Sequence, residues 1–483
     1  MIEGTDMLPS IRQRPLLQKA QDVRGLPFAF RPGPLRAEEL AQFYSDALDK
    51  NRANKVRSRL RDDLVDNAKI GYLFKGVIYG NRGTGKSTEI NRLLEEPAIK
   101  QRFLVVRVDA LDELNPQTFG AADVLLLICV KLIETCRAHC EQSGEAFHEC
   151  FTILGDLHKR VAPWFPALQD REQVTTTHGA SGELNILQLL KASVRVEGQR
   201  KMDLAQRRET LSGLTESISI VAQVVQQRLP DLEILLIGEN FDKEQIPPVL
   251  LDETFVQYAT VLRDIPIHML FTLPVPFVYA KGQSLVFARE YRYPVYDVPL
   301  FDSNHKREPK GVAALQELLQ LRADVDAIFD PGALDLLLFA SGGDLYLLFA
   351  MITTSGRLAQ YRAEDIPGSP PLVLTEDAAT VVREQLGVFR NELGTSSTDS
   401  TDKTTWEAKR DRLRRVYESD PAAIVPDDVL YQLLRRRAIL FCNGRGRYAL
   451  HPFAVEILRE QFRNDSSFVY RGGGLDQLPP PPA

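Results

Sequence analysis

Gly80-Asn81-Arg82-Gly83-Thr84-Gly85-Lys86-Ser87 places three glycines, an amine and a hydroxyl in one short loop. Glycines at this spacing let the backbone curl so that successive N–H groups converge on an anion. An apolar run at 72–79 precedes the loop and a helix-forming run at 86–95 follows it. The loop therefore ends at a helix N-terminus, where free N–H groups and the helix dipole favour phosphate. The spacing fits G-x-x-x-x-G-K-[ST] in full, which puts Lys86 in reach of the β- and γ-phosphates of a nucleotide. The same pattern gives Mg²⁺ to the Ser87 hydroxyl and makes Thr88 the last of the phosphate-binding set. A chance glycine turn is the competing account, and the strand before, the helix after and an acidic strand downstream count against it.

That acidic strand is Ile234-Leu235-Leu236-Ile237-Gly238-Glu239-Asn240-Phe241-Asp242-Lys243. Its apolar run delivers acids at its C-terminal end, the place where open α/β sheets bind ligands.

The elements that must hold these residues follow from periodicity. Strands are expected at 72–79, 102–109, 232–237, 265–273 and 293–300, alternating with helices that include 86–95, 121–140, 204–228 and 253–263. Such alternation specifies a parallel sheet covered on both faces. The division reads as an N-terminal extension with helices at 1–70 and the sheet-bearing domain at 71–303, with a helical insertion at 141–201. A helical lid and linker at 304–393, a flexible loop at 394–404, a winged-helix-like unit at 405–465 and a disordered tail at 466–483 complete it. The winged-helix expectation rests on two helices followed by apolar runs that flank Asn443-Gly444-Arg445-Gly446, a hairpin signal.

With loop and acidic strand together, the chain resembles the AAA+ and STAND class of P-loop ATPases, bacterial defence and signalling ATPases in particular. The resemblance implies an α/β parallel-sheet P-loop NTPase with helical lid and winged helix, binding ATP and Mg²⁺ and hydrolysing the ATP. In one register Glu239 is the metal-binding acid and Asn240 stands where a catalytic Glu is common, followed by Asp242. Slid by one residue, Glu239 becomes the base. An amide cannot accept a proton, so the first register implies slow hydrolysis. The resemblance further places Thr272 at the polar sensor position and Arg289 and Arg292 where an arginine finger would reach a neighbouring subunit, which implies homo-oligomers. Surface arginines without such a role are the equal alternative. The family's lid often carries Gly-Gly-x-x-Arg, but this chain reads Gly342-Gly343-Asp344-Leu345-Tyr346, with Tyr346 in place of the arginine.

At 44% apolar and 26% charged residues over 483 positions, composition excludes wholesale disorder and a disulfide miniprotein, and length alone implies about three domains. Five cysteines and an N-terminus without an apolar core point to a reducing, cytoplasmic setting, and no apolar stretch approaches a membrane span. Cys136, His139, Cys140, His148 and Cys150 invite zinc, but their spacing matches no familiar ligand set, so buried thiols on a helix are the better reading. Residues 401–463 carry thirteen Lys or Arg against nine Asp or Glu, a net +4, whereas the rest of the chain carries −10. Arg435, Arg436, Arg437, Arg445 and Arg447 fall on the expected recognition helix and wing, to meet either DNA phosphates or a protein partner. Lys55, Arg57, Arg59 and Arg61 read as a solvated helix face. Two functions follow: a nucleotide-dependent switch or oligomeric platform for a protein effector, as in anti-phage defence, or a DNA-remodelling ATPase that uses the basic C-terminal unit.

Overall fold

The computed structural model of the chain describes residues 16–51, 55–142, 204–280, 284–395, 405–442 and 447–479, with 155, 157, 159 and 190 as isolated positions. Most of the expected 141–201 insertion, most of the 394–404 loop and Arg445, His148 and Cys150 lie outside the described residues.

Five short apolar segments build the central sheet: β1 (Lys75–Tyr79), β2 (Phe103–Asp109), β3 (Glu233–Glu239), β4 (His268–Leu273) and β5 (Arg292–Pro294). Their order is β2-β3-β4-β1-β5 and each neighbouring pair is parallel. Alternation along each strand divides the core in two. In β3, Leu236 faces one apolar cluster while Leu235 and Ile237 face the other. The first cluster is covered by α4 (Ala121–Gln142) and α5 (Leu204–Arg228). Beneath the second lie α2 (Val56–Lys69) and α3 (Lys86–Leu94), through Leu60, Leu64, Ile90 and Leu93. Cys129, Cys136 and Cys140 are buried thiols among the apolar residues of α4.

This is an open, parallel α/β sheet covered by helices on both faces, with the glycine loop between β1 and α3. After β1 the chain crosses two strands to reach the sheet edge at β2, and the crevice left by that crossover lies at the C-terminal ends of the strands, where ligands enter. Ahead of the sheet, α1 (Ala37–Phe43) and α2 belong to the N-terminal extension. In the basic run Lys55 and Arg59 are exposed, as a solvated face requires, with Arg59 over the Tyr293 ring, whereas Arg57 is partly buried and ion-paired to Asp46 and Glu96.

Downstream, α6 (Pro309–Gln320), α7 (Pro331–Ala340), α8 (Leu345–Asp365) and α9 (Thr375–Leu393) form an all-helical region. The C-terminal region runs α10 (Trp406–Tyr417), α11 (Asp428–Arg435), an antiparallel hairpin of β6 (Ile439–Cys442) and β7 (Arg447–Leu450), then α12 (Pro452–Gln461). The hairpin docks on the main sheet: Asp297 N–H donates to the Phe441 carbonyl at 2.8 Å. Contrary to the disordered tail expected at 466–483, residues 466–479 fold back onto α10. Leu475 is buried, and the Tyr417 hydroxyl both donates to Gly472 O and accepts from Arg471 N, each at 2.8 Å. A glycine- and proline-rich composition suggested disorder, but aromatic anchors at Phe468 and Tyr470 override it.

Candidate functional site

Gly83 and Gly85 have φ of +78° and +93°, which side-chain-bearing residues adopt only with strain, and they curl the loop ahead of α3. Inside the loop, Thr84 Oγ1 donates to Asn81 O at 2.9 Å and Lys86 Nζ donates to the carbonyls of Gly80 and Asn81 at 2.9 and 2.8 Å. The ammonium completes its set on Asp242 Oδ2 at 2.8 Å. Burial pulls the Lys86 pKa down, with Asp242 opposing it. For Asp242, burial works to raise the carboxyl, and Lys86 and Lys243 together hold it below its ordinary value. The pair is therefore a buried clasp, viable because each ion has its counter-ion and further polar partners.

A cavity of about 190 Å³ opens over the loop. Its walls come from residues 82–89, from Asp242 and Lys243, from Leu318 and Tyr346 of the helical region, and from the N-terminal extension through Leu35 and Tyr44. The extension is tied down by polar bonds: Leu35 N donates to Thr88 Oγ1 at 3.2 Å, Asn91 Nδ2 to Leu35 O at 2.7 Å, and the Tyr44 hydroxyl to Glu89 at 3.1 Å. Ser87 lines the same cavity.

Of the acids that end β3, Asp242 lines the cavity, whereas Glu239 is drawn 3.0 Å from Arg107 on β2. Burial raises the Glu239 carboxyl above its ordinary value, with Arg107 opposing. Asn240 has φ +62°, a left-handed position that Asn tolerates, and its amide donates to Asp109 Oδ2 at 2.6 Å. The amide is thus explained by backbone shape and by its bond to the neighbouring strand. Thr272 is buried within β4 and donates to Gly238 O at 3.4 Å. Arg289 is exposed, and Arg292 donates to Phe287 O at 3.0 Å; neither lines the cavity.

Three residues that sequence reasoning did not assign correctly surround the back of the loop. Asp297, fully buried just after β5, accepts from Asn81 Nδ2 at 2.6 Å and from Phe441 N at 2.7 Å, and is ion-paired to Arg437 at 3.4 Å. Arg437 also pairs with Asp344, and both stand against Gly83, where any side chain would collide with the Asp344 carboxylate. Burial lowers the Arg437 pKa to about 10, with Asp297 opposing, and raises that of Asp297 despite Arg437. Arg437 is therefore a buried residue at the phosphate loop, which corrects its expected place on an exposed recognition helix. Its neighbours Arg435 and Arg436 engage the backbone and the carboxylate of Glu244. Arg447 opens β7, paired with Cys442. An isolated acid in the apolar run Val295-Tyr296-Asp297-Val298 was the signal available for Asp297, since a buried carboxylate demands a partner.

No protein-family profile and no curated protein matches the chain. Among solved structures it is similar to a Walker-type ATPase of Pyrococcus abyssi, at 12% identity and TM-score 0.36, over 85% of this chain and 97% of that one. It is also similar to Cdc6p from Pyrobaculum aerophilum, at 13% identity and TM-score 0.32, over 86% of this chain and 90% of that one. No helix of the described residues is long and apolar enough to cross a membrane.

Proposed function

We propose that the protein binds ATP with Mg²⁺ at the loop 80–88, hydrolyses it slowly, and uses the nucleotide state as a switch or assembly platform for a protein effector, in the manner of AAA+ and STAND ATPases. The observation that carries this reading is the Lys86–Asp242 clasp in a glycine loop at the C-terminal end of a parallel sheet. The residues fit the nucleotide and its metal: positive-φ glycines expose N–H groups to phosphate, and the hydroxyl of Ser87 and the carboxylate of Asp242 are hard oxygen donors. Mg²⁺ held there would neutralise phosphate charge. On nucleotide entry Lys86 exchanges Asp242 for phosphate oxygens, so the buried ammonium is never left unpaired. Slow turnover is supported by the engagement of Glu239 with Arg107 and of Asn240 with Asp109, neither of which is a free base.

The helix–helix–hairpin–helix order of 405–461 supports a winged-helix reading. With Arg435, Arg436 and Arg437 spent on Glu244, Asp297 and Asp344, a protein-docking role is favoured over DNA binding. Homo-oligomerisation, with Arg289 or Arg292 acting on a neighbour, belongs to the same proposal. The deciding experiment is native mass measurement with a slowly hydrolysed ATP analogue, on wild type and Lys86→Ala. Bound nucleotide and a changed subunit number in wild type alone support the reading, and equal nucleotide occupancy in both sinks it. Duplex DNA that accelerates turnover in a salt-sensitive way would transfer the proposal to the DNA-remodelling alternative.

A further inference from the structure

Among the cations beside the glycine loop, three differ in how they are held. Lys86 is clasped by Asp242, and Arg437 is buried between Asp297 and Asp344. Arg82, third in the loop, lies on the exposed side, with its guanidinium 4.4 Å from the centre of the Tyr346 ring. No carboxylate of the described residues pairs with it. Arg82 and Tyr346 both line the cavity that holds Lys86.

Tyr346 sits in the first turn of α8, and its backbone N–H donates to Asp344 Oδ1 at 2.8 Å, which caps the helix. The helix is thus joined to the loop twice. Asp344 is the permanent joint, because Arg437 holds it in a buried ion pair. The Arg82–Tyr346 stack is the releasable one, because it is partly solvated and a ring face is a weaker partner for guanidinium than a phosphate.

We infer that Arg82 is the residue that distinguishes a nucleoside triphosphate from a diphosphate, and that Tyr346 is its partner when no γ-phosphate is present. The inference rests on the nucleotide-binding reading given above. A third phosphate adds negative charge and acceptor oxygens beside the loop, and a planar guanidinium binds such oxygens in bidentate fashion. Arg82 then leaves the ring, and the first turn of α8 loses one of its two joints while Asp344 keeps the other. A diphosphate lacks the group that draws Arg82 away, so the stack persists. This assigns a role to an arginine on the loop and to an aromatic on the lid, at the lid position where the family resemblance led us to expect the cation.

The test measures ATP and ADP affinity, with Mg²⁺, for full-length wild type, Arg82→Ala and Tyr346→Leu, together with hydrogen exchange over 345–349. Arg82→Ala is expected to weaken ATP about tenfold while ADP changes less than about twofold. Tyr346→Leu, which removes the ring competing for Arg82, is expected to tighten ATP by a factor of about two to three. In wild type, exchange over 345–349 is expected to be faster with ATP than with ADP, and this difference should vanish in Arg82→Ala. Equal weakening of both nucleotides would make Arg82 a general phosphate contact and overturn the inference, as would an unchanged ATP affinity. Wild type that binds neither nucleotide overturns the nucleotide reading itself, a result distinct from either.

Discussion

Asp242→Asn tests the clasp directly. In the fold, Lys86 Nζ stands 2.8 Å from Asp242 Oδ2, and the two side chains are 7% and 6% exposed. Removing one partner of such a pair leaves the other charge buried, at a cost of about 3–5 kcal/mol. The two carbonyl bonds from Gly80 and Asn81 remain, and so does an amide contact, so the lower end of about 3 kcal/mol is expected here. Lys86→Met with Asp242→Leu removes both charges and should cost less than the sum of the single changes by about 2 kcal/mol or more. The assay is urea unfolding followed by a probe on α3, read as a double-mutant cycle. Asp242→Asn alone has opposite effects on nucleotide affinity in two buffers. Without Mg²⁺, phosphate no longer competes with Asp242 for Lys86, and if about half of the lost stability is returned on binding, affinity rises about tenfold. With Mg²⁺, the lost carboxylate weakens binding. Additive single changes, or weaker binding in both buffers, would refute the clasp as the element that nucleotide displaces.

Acid should destabilise the fold through two buried histidines. His268 accepts from Phe74 N on Nδ1 at 3.1 Å and meets Glu233 at 2.7 Å, and His451 meets Ser341 O at 3.1 Å. Burial lowers both pKa values below the ordinary 6.5, that of His451 to about 3. The unfolded chain therefore takes up protons first, and stability, full above pH 6.5, falls as pH drops toward the folded values. Each histidine contributes up to about 1.4 kcal/mol per pH unit, which urea midpoints at pH 7.5, 6.5 and 5.5 would show; a midpoint that rises on acidification contradicts it. Asn240→Ala removes the bond to Asp109 and places a Cβ-bearing residue without a local amide at φ +62°, for a loss of about 1–2 kcal/mol. Asn240→Gly should cost less, and thermal melts of the two variants would separate backbone strain from the lost bond.

The shape of the glycine loop was legible in the sequence because its information is local: glycines that allow positive φ, a lysine and hydroxyls stand within eight residues of one another. The sheet was legible for the same reason, since each strand overlaps an apolar run, although the run at 293–300 yields a strand only at Arg292–Pro294. What supports the loop from behind was not. Asn81 meets Asp297 across 216 positions, and Arg437 reaches the same carboxylate across 140. No periodicity encodes such pairs, and a triple arginine after a helix reads as surface until the two carboxylates that bury its last member are known. Asn240 shows the converse. Its residue type suggested a lost base, but left-handed backbone and a bond to Asp109 account for it without reference to catalysis. The tail was misjudged because composition speaks of average tendency, whereas a single tyrosine hydroxyl at Tyr417 gathers Arg471 and Gly472.

The docking of Arg437 between Asp297 and Asp344 also bears on the order in which the protein is made. The glycine loop leaves the ribosome early, but the cation that offsets the two carboxylates behind it arrives more than 350 residues later. Between the synthesis of Asp344 and that of Arg437 a nascent chain carries both carboxylates without their shared cation, and Gly83 lacks the packing that holds it in shape. A ribosome-bound chain halted before residue 437 should accordingly bind nucleotide poorly, and competence should appear only when synthesis is nearly complete.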